Sequence, residues 1–261
     1  MEIKDGFYVL LFHTSRKKWL TKVSIEKKMH THLGIIDVSS TIGMEYGSAI
    51  RTTEGKIVYL IEPTIHDFIM KSKRRTQIVY PKDLGFIAAR TGLKNGSKVV
   101  EIGTGSGALT TFMASIVKPD GHIYSFDIND EFMGIAKENL ERAGLNKYVT
   151  MHHHLDPSGG YIIRDADIVI VDLADPWTIV NQVRQALKGS GSFVAICPTM
   201  NQLEKTASEL RLNRYIDIEC VELMIRNIEA REGMTRPSMR MIGHTTYLAF
   251  ARKTEVTENI M

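Results

Sequence analysis

The run Lys98–Val99–Val100–Glu101–Ile102–Gly103–Thr104–Gly105–Ser106–Gly107–Ala108–Leu109 decides how this chain is read. Val99, Val100 and Ile102 form a short apolar stretch of the kind that serves a strand covered on both faces. Three glycines at two-residue spacing then break the pattern. They permit backbone angles closed to other residues and leave no Cβ in the path of a ligand. Ala108 and Leu109 begin a helix, whose first amide groups have no partner within the helix. Strand, glycine turn and helix together predict a small-molecule site at the end of a strand.

Outward from that turn, the pattern alternates strand and helix. Strands are expected near 98–102, 122–127, 148–152, 167–172 and 192–197, with helices near 106–117, 131–143, 178–187 and 200–211. Short apolar strands separated by such helices call for an α/β, doubly wound, mostly parallel sheet. Two last apolar runs, 216–224 and 246–251, fit a closing antiparallel pair joined by the long connection 225–244. Upstream, β-prone runs at 6–12, 19–25, 33–38, 48–52 and 56–60 are punctuated by Gly34, Gly43, Gly47 and Gly55. They predict a small β-rich domain over 1–72, ahead of the α/β domain over 73–261. Thr64 is a candidate cap for a short helix over 64–71, and Asp83 for one running through Arg90. Tyr80, preceding Pro81, is expected to be extended.

A chain of 261 residues with 43% hydrophobic and 24% charged residues is of ordinary globular composition and can bury a sizeable core. No apolar run approaches a membrane span and residues 1–30 lack a signal-like apolar core, so the expectation is a cytoplasmic protein without membrane attachment. Cys197 and Cys220 both lie in apolar runs and are expected as buried thiols on neighbouring strands. The net charge of +3 decides little. Basic residues cluster within 1–30 and at Lys71, Lys73, Arg74 and Arg75, either as solvated faces or as a footprint for a polyanion. His152–His153–His154 has no cysteine or acidic partner at ligand spacing, and alternate strand residues face opposite ways, so no metal is expected.

Gly103-x-Gly105-x-x-Ala108 meets a relaxed dinucleotide fingerprint, which by itself is weak. Glu101 precedes the first glycine by two residues, where an unpaired charge would be costly to bury. Asp127 ends the next strand, twenty-four residues after Gly103, where a carboxylate can accept hydrogen bonds from a ribose diol. Glu-x-Gly-x-Gly-x-Gly followed by that acid resembles the S-adenosylmethionine-dependent methyltransferases. In these the glycines allow close approach to the methionine moiety rather than neutralising a pyrophosphate. Ser106 falls within the turn, Ile128 could lie on the adenine ring, and Asp156 is either an adenine ligand or a turn residue before Pro157.

Three further segments narrow the resemblance: Arg74–Asp83, Asp172–Leu173–Ala174–Asp175–Pro176–Trp177, and Arg236–Thr245. With His30–Thr31–His32–Leu33–Gly34 in the small domain, they resemble the tRNA adenine-N1 methyltransferase family in its single-subunit archaeal and bacterial form, over essentially the whole chain. The family's Asp-Leu-Pro-x-Pro-Trp motif is matched except that Ala174 replaces a proline, which loosens that loop. Asp127 stands where the family often has Glu. The resemblance implies a seven-stranded Rossmann-like methyltransferase sheet and a homotetramer that uses S-adenosylmethionine to make N1-methyladenosine in the tRNA T-loop, at position 58 and in some archaea also at 57. It places Gln77 and Glu101 with the methionine end of the cofactor, Asp127 with its ribose and Asp156 with its adenine. Asp172 falls to the target base and also to the cofactor pocket, and Tyr80 is an aromatic surface for the base or simply core packing. Arg236 and Arg240 either face RNA or pair at a sheet edge.

Three rival functions differ in what they require. A protein isoaspartyl methyltransferase would carry a serine-centred motif near residue 80, which is missing. A non-catalytic tRNA-binding subunit would have lost cofactor residues, and Glu101, Gly103, Gly105, Gly107, Asp127 and Asp172 are all present. A dehydrogenase rests on the relaxed fingerprint alone.

Overall fold

The computed structural model describes residues 1–153 and 163–255. The chain divides into two compact units, Met1–Ser72 and Lys73–Met261.

In the first unit, β1 (Tyr8–Thr14), β2 (Lys17–Lys22), β3 (Lys28–Thr31), β4 (Gly34–Asp37), β5 (Ala49–Arg51) and β6 (Ile57–Ile61) precede α1 (Ile65–Met70). Four of these strands form an antiparallel sheet in the order β2-β1-β6-β5, and β3 pairs with β4. Ile3, Val9, Leu11, Val23, Ile36, Val38, Val58 and Leu60 make its core. Alternation is clearest in β6, where Val58 and Leu60 point inward while Ile57, Tyr59 and Ile61 point out. Strand β3 has no apolar signal strong enough to predict it, with Met29 as its single large apolar side chain. Helix α1 starts as expected at Thr64, whose hydroxyl accepts from the Asp67 amide while the Asp67 carboxylate accepts from the Thr64 amide.

The second unit comprises α2 (Pro81–Thr91), β7 (Lys98–Ile102), α3 (Ala108–Val117), β8 (His122–Asp127), α4 (Asp130–Arg142), β9 (Val149–His153), β10 (Ala166–Val171), α5 (Val180–Arg184), β11 (Leu187–Cys197), α6 (Met200–Leu212), β12 (Tyr215–Glu222), β13 (Ile228–Glu229), β14 (Arg236–Pro237) and β15 (Tyr247–Lys253). Seven strands form one sheet in the order β12-β15-β11-β10-β7-β8-β9, antiparallel only where β15 meets β11 and β12. The order reverses between β7 and β10. That switch point opens a crevice at the carboxyl ends of these strands, and the glycine turn after β7 and Asp172 after β10 both lie there. Strands β7, β10 and β11 are buried on both faces, as parallel strands under helices must be.

Four local expectations are corrected. Tyr80, extended at φ −78° and ψ 153°, is the residue before α2; Pro81 opens the helix, where its missing N–H costs nothing, and Asp83 sits inside the first turn instead of capping it. The helix expected over 178–187 is a 3₁₀ turn at Pro176–Ile179 followed by α5, because β11 already begins at Leu187. Cys220 is exposed and only Cys197 is buried. The two strands that carry them are separated by β15. The connection after β12 carries the small β13–β14 ribbon.

Candidate active site

The glycine turn is built from the strand upward. Glu101, the fourth residue of β7, is fully buried. Its Oε2 accepts from Thr110 Oγ1 at 2.6 Å and from Ser125 Oγ at 2.5 Å. Ser125 in turn is bonded to Thr104 Oγ1 at 2.6 Å. The other oxygen, Oε1, has no hydrogen-bond partner among the described residues. Burial, reinforced by the charges of Asp172 and Asp127, pushes the Glu101 carboxyl up to about 8 despite its two hydroxyl donors. Glu101 therefore braces the turn from beneath, tying β7 to α3 and β8.

The three glycines have different duties. A Cβ on Gly103, at φ +95°, would stand 2.1 Å from the Asp172 carbonyl oxygen, and one on Gly107 would stand 2.8 Å from the Ala136 Cβ. These two let the protein approach itself: Gly103 lets β7 and β10 close together, and Gly107 lets the turn pack on α4. The reading of all three glycines as room for a ligand is narrowed accordingly: Gly107 serves packing alone, whereas Gly103 also lines the cavity above the turn. Gly105 alone has space, with Thr76 Oγ1 at 3.5 Å as the nearest atom to its notional Cβ. Its amide donates to Asp127 Oδ2 at 2.9 Å, while Asp127 Oδ1 accepts from the Asn129 amide, also at 2.9 Å. Both oxygens of Asp127 are thus fixed in direction and each keeps a lone pair for a ligand.

A cavity of about 400 Å³ opens above the turn, lined by Thr76, Gln77, Gly103, Thr104, Gly105, Ser106, Leu109, Asp127, Ile128, Phe132, Asp172, Leu173 and Ala174 among others. Its volume is within the range of cofactor sites. Gln77, Gly103, Gly105, Ser106, Asp127, Ile128 and Asp172, all singled out in the sequence, meet here; Glu101 and Gly107 do not line it. Asp156 lies outside the described residues. Thr76, Leu109, Phe132 and Leu173 carry no site signal of their own, although all but Phe132 stand inside segments quoted above, and Ala174 is marked only as the residue in place of a proline. Thr76 holds Ser106 through a hydroxyl pair at 2.9 Å.

A second cavity, of about 90 Å³, shares Gln77, Ile78, Val79 and Asp172 with the first and adds Tyr80, Asp83, Ile196, Pro198, Thr245 and Thr246. Gln77 Nε2 donates to the Tyr80 hydroxyl at 3.1 Å. Asp172 is anchored by its amide, which donates to the Ile102 carbonyl at 2.8 Å. Burial and the nearby Asp127 carboxylate push its own carboxyl up to about 6. Asp172 thus stands on the wall common to both cavities.

Comparison with known proteins now separates the possible chemistries. The family model described as "tRNA methyltransferase complex GCD14 subunit" matches residues 56–234. The tRNA (adenine(57)-N(1)/adenine(58)-N(1))-methyltransferase TrmI of Methanocaldococcus jannaschii is 36% identical, over 94% of both chains. This chain belongs to the tRNA (adenine-N1)-methyltransferase family. Among solved structures, the TrmI tRNA (m1A58) methyltransferase of Aquifex aeolicus superposes on this methyltransferase with a TM-score of 0.85 at 28% identity, covering 98% of this chain and all of that one. A structure named as an SAM-dependent O-methyltransferase from Thermotoga maritima has a TM-score of 0.93 at 38% identity, covering 98% and 96%.

The cofactor of the family, S-adenosylmethionine, fits the larger cavity. Among the described residues the lining holds two carboxylates, Asp127 and Asp172, and no lysine or arginine. Such a lining suits a sulfonium cation with a ribose diol and opposes the two phosphate charges of a dinucleotide. Elsewhere, Lys73 pairs with Glu138, and Arg75 with Glu131 at 2.9 Å, so these two members of the basic cluster are neutralised within the unit. Arg236 lies 3.4 Å from Glu229 across the ribbon, which is the ion-pair alternative noted for it. No group of three or more His, Cys, Asp or Glu among the described residues is arranged to hold a metal, and no helix there is long and apolar enough to cross a membrane.

Proposed function

We propose that this methyltransferase methylates N1 of adenine in the T-loop of tRNA, at position 58 and also at 57, the pair named for the Methanocaldococcus jannaschii relative. One observation carries the reading: Asp172 lies on the wall shared by a carboxylate-lined cofactor cavity and a second, smaller cavity that ends at an aromatic hydroxyl. A methyl donor in the first and a base in the second meet at that residue.

When bound, S-adenosylmethionine supplies an electrophilic methyl group on sulfur. Adenine N1 has an in-plane lone pair and needs no strong base to attack it; the N–C bond forms as the C–S bond breaks, leaving a cationic base. Asp172 accepts a hydrogen bond from the 6-amino group, orients N1, and stabilises the positive charge as it develops. It then removes a proton from that amino group. Tyr80, steadied by Gln77, offers its ring to the base, while Gln77 also faces the methionine end of the cofactor. Asp127 takes the ribose hydroxyls, Ile128 the adenine face and Asp156 the adenine amino group, with Gly103, Gly105 and Ser106 as the backbone cradle. Glu101 acts through the turn that it braces.

The target base must leave the tRNA stack to enter so small a cavity. Residues 223–246 leave the sheet beside Cys197, at the end that carries Asp172, because Glu222 and Cys197 both align with Tyr247. Exposed Arg226, Arg231, Arg236 and Arg240 along that connection are suited to phosphate contacts. The homotetramer, a cytoplasmic location and the assignment of Lys73–Met261 as the methyltransferase domain complete the proposal on the strength of the family resemblance.

The test incubates purified protein with methyl-labelled S-adenosylmethionine and unmethylated tRNA, then maps the modified base by mass spectrometry. Label at N1 of the T-loop adenines is expected. Label on protein, on a hydroxyl oxygen or on another base overturns the assignment. Light scattering of the same sample is expected to give the mass of four chains.

A further inference from the structure

The smaller cavity is walled by segments far apart in sequence. Tyr80 and Asp83 come from the start of α2, Pro198 follows β11, and Thr245 precedes β15. Asp83 is fully buried and Lys82 nearly so. Asp83 Oδ1 accepts from Lys82 Nζ at 2.7 Å, and its Oδ2 accepts from Thr245 Oγ1 at 3.0 Å. Lys82 Nζ also donates to Thr245 Oγ1 at 2.6 Å. One hydroxyl therefore accepts from the ammonium and donates to the carboxylate, closing a ring between α2 and the return into β15. Charge-assisted bonds in a dry site are strong and leave little room for the partners to shift.

The preceding residue ties the same wall to the rest of the sheet. His244 Nδ1 lies 2.6 Å from Glu222 Oε1, and its Nε2 lies 2.9 Å from the Pro198 carbonyl oxygen. Both partners are acceptors, so the doubly protonated imidazolium is the form that makes both bonds. The bonds to Glu222 and Pro198 hold its pKa above the ordinary imidazole value. The groups facing it are Glu222 from β12, the Pro198 carbonyl after β11, the Tyr247 ring at 4.5 Å in β15, and Lys82 from α2, whose charge opposes.

We propose that the Lys82–Asp83–Thr245 ring, latched by His244, is a positioning device for the acceptor base: it fixes the Tyr80 end of the smaller cavity relative to Asp172. Thr245 and His244 are positioning residues, and none of the four lines the cofactor cavity. This rests on the tRNA-adenine reading above.

The experiment measures kcat and KM for tRNA, and the dissociation constant for S-adenosylmethionine, in wild type, Thr245→Val, Thr245→Ser and His244→Gln. Thr245→Val keeps the shape and loses two of the three bonds; kcat/KM for tRNA is expected to fall about 10–100-fold. Cofactor affinity is expected to stay within about twofold, since the ring lies outside that cavity. Thr245→Ser restores the hydroxyl and most of the activity. In wild type, kcat/KM for tRNA falls as the pH rises through the elevated His244 pKa, and His244→Gln lacks that alkaline limb; this second readout stands if Thr245→Val does not fold. Wild-type activity in Thr245→Val, an equal loss of cofactor affinity, or no recovery in Thr245→Ser overturns this inference alone. A wild-type protein inactive on tRNA overturns it together with the reading beneath it.

Discussion

The two cavities that meet at Asp172 are assembled in opposite ways. The floor of the larger is nearly a local structure: β7, the glycine turn and α3 follow one another directly, and β8 adds Asp127 within the next strand, while Thr76–Val79 and Asp172–Ala174 close its sides. Its cost is borne by backbone, through left-handed glycines and a buried carboxyl under the turn. The smaller is assembled from Tyr80 and Asp83 at the start of α2 and from Pro198 and Thr245, more than a hundred positions further along the chain, brought together by side-chain hydrogen bonds and an ion pair. Cofactor binding thus rests on chain geometry that few substitutions can adjust. The acceptor wall rests on polar contacts that can change one at a time. A fold of this kind can keep its methyl donor while altering what it methylates.

Substitutions can break this contrast. The largest effect is expected at the shared residue: Asp172→Ala should lower kcat by about 10²–10³-fold, as for loss of one stabilising group in a dry site, while the protein still binds cofactor in calorimetry. Gly103→Ala and Gly105→Ala should then separate the glycine duties. The first forces a Cβ onto the Asp172 carbonyl and should cost about 3 kcal/mol in chemical denaturation, with melting far below wild type. The second meets no backbone atom and should cost about 1–2 kcal/mol from its left-handed conformation, with its main effect on cofactor affinity. If both lose stability equally, the division between packing and ligand glycines fails.

Two pH profiles give finer tests. Asp172 acts as a carboxylate, and its carboxyl sits at about 6 in the free protein. The kcat/KM for cofactor should therefore fall as pH drops through about 6, and Asp172→Asn should abolish that acid limb. For Glu101 the folded value of about 8 lies above the ordinary 4.5, so the folded chain holds a proton that the unfolded chain has released between these values. Its contribution to stability is complete below about 4.5 and is lost as pH rises through about 8. Thermal melts of the cofactor-free protein should show that decline, and Glu101→Gln, which cannot ionise, should flatten it.

Much of this was legible in the chain itself. The strand–glycine–helix period, the acid at the end of β8 and the alternation downstream are local signals, and β7, β8, α3, α4 and α6 fall within a few residues of where they are read. The misreadings have physical causes. The apolar stretch around Cys220 reads as a buried strand, yet β12 is an edge strand with one side open, and its thiol is exposed. Asp83 resembles a helix cap, but Pro81 opens the helix and frees that carboxylate for Lys82 and Thr245. Gly103 and Gly107 look identical to Gly105 in sequence; only the neighbours, Asp172 and Ala136, separate their roles.

The fold class, the methyl donor and the glycine turn with Asp127 are readable from the chain alone, because they depend on backbone conformations and side-chain spacings set within some thirty residues. The tertiary structure decided that Asp172 lines two cavities, that Glu101 is a brace beneath the turn, and that Lys82, Asp83 and Thr245 bond in one ring next to His244. Those facts depend on strand order, since β15 inserts between β11 and β12 and brings Thr245 onto α2. Nothing in the local chemistry of any of these segments specifies that pairing.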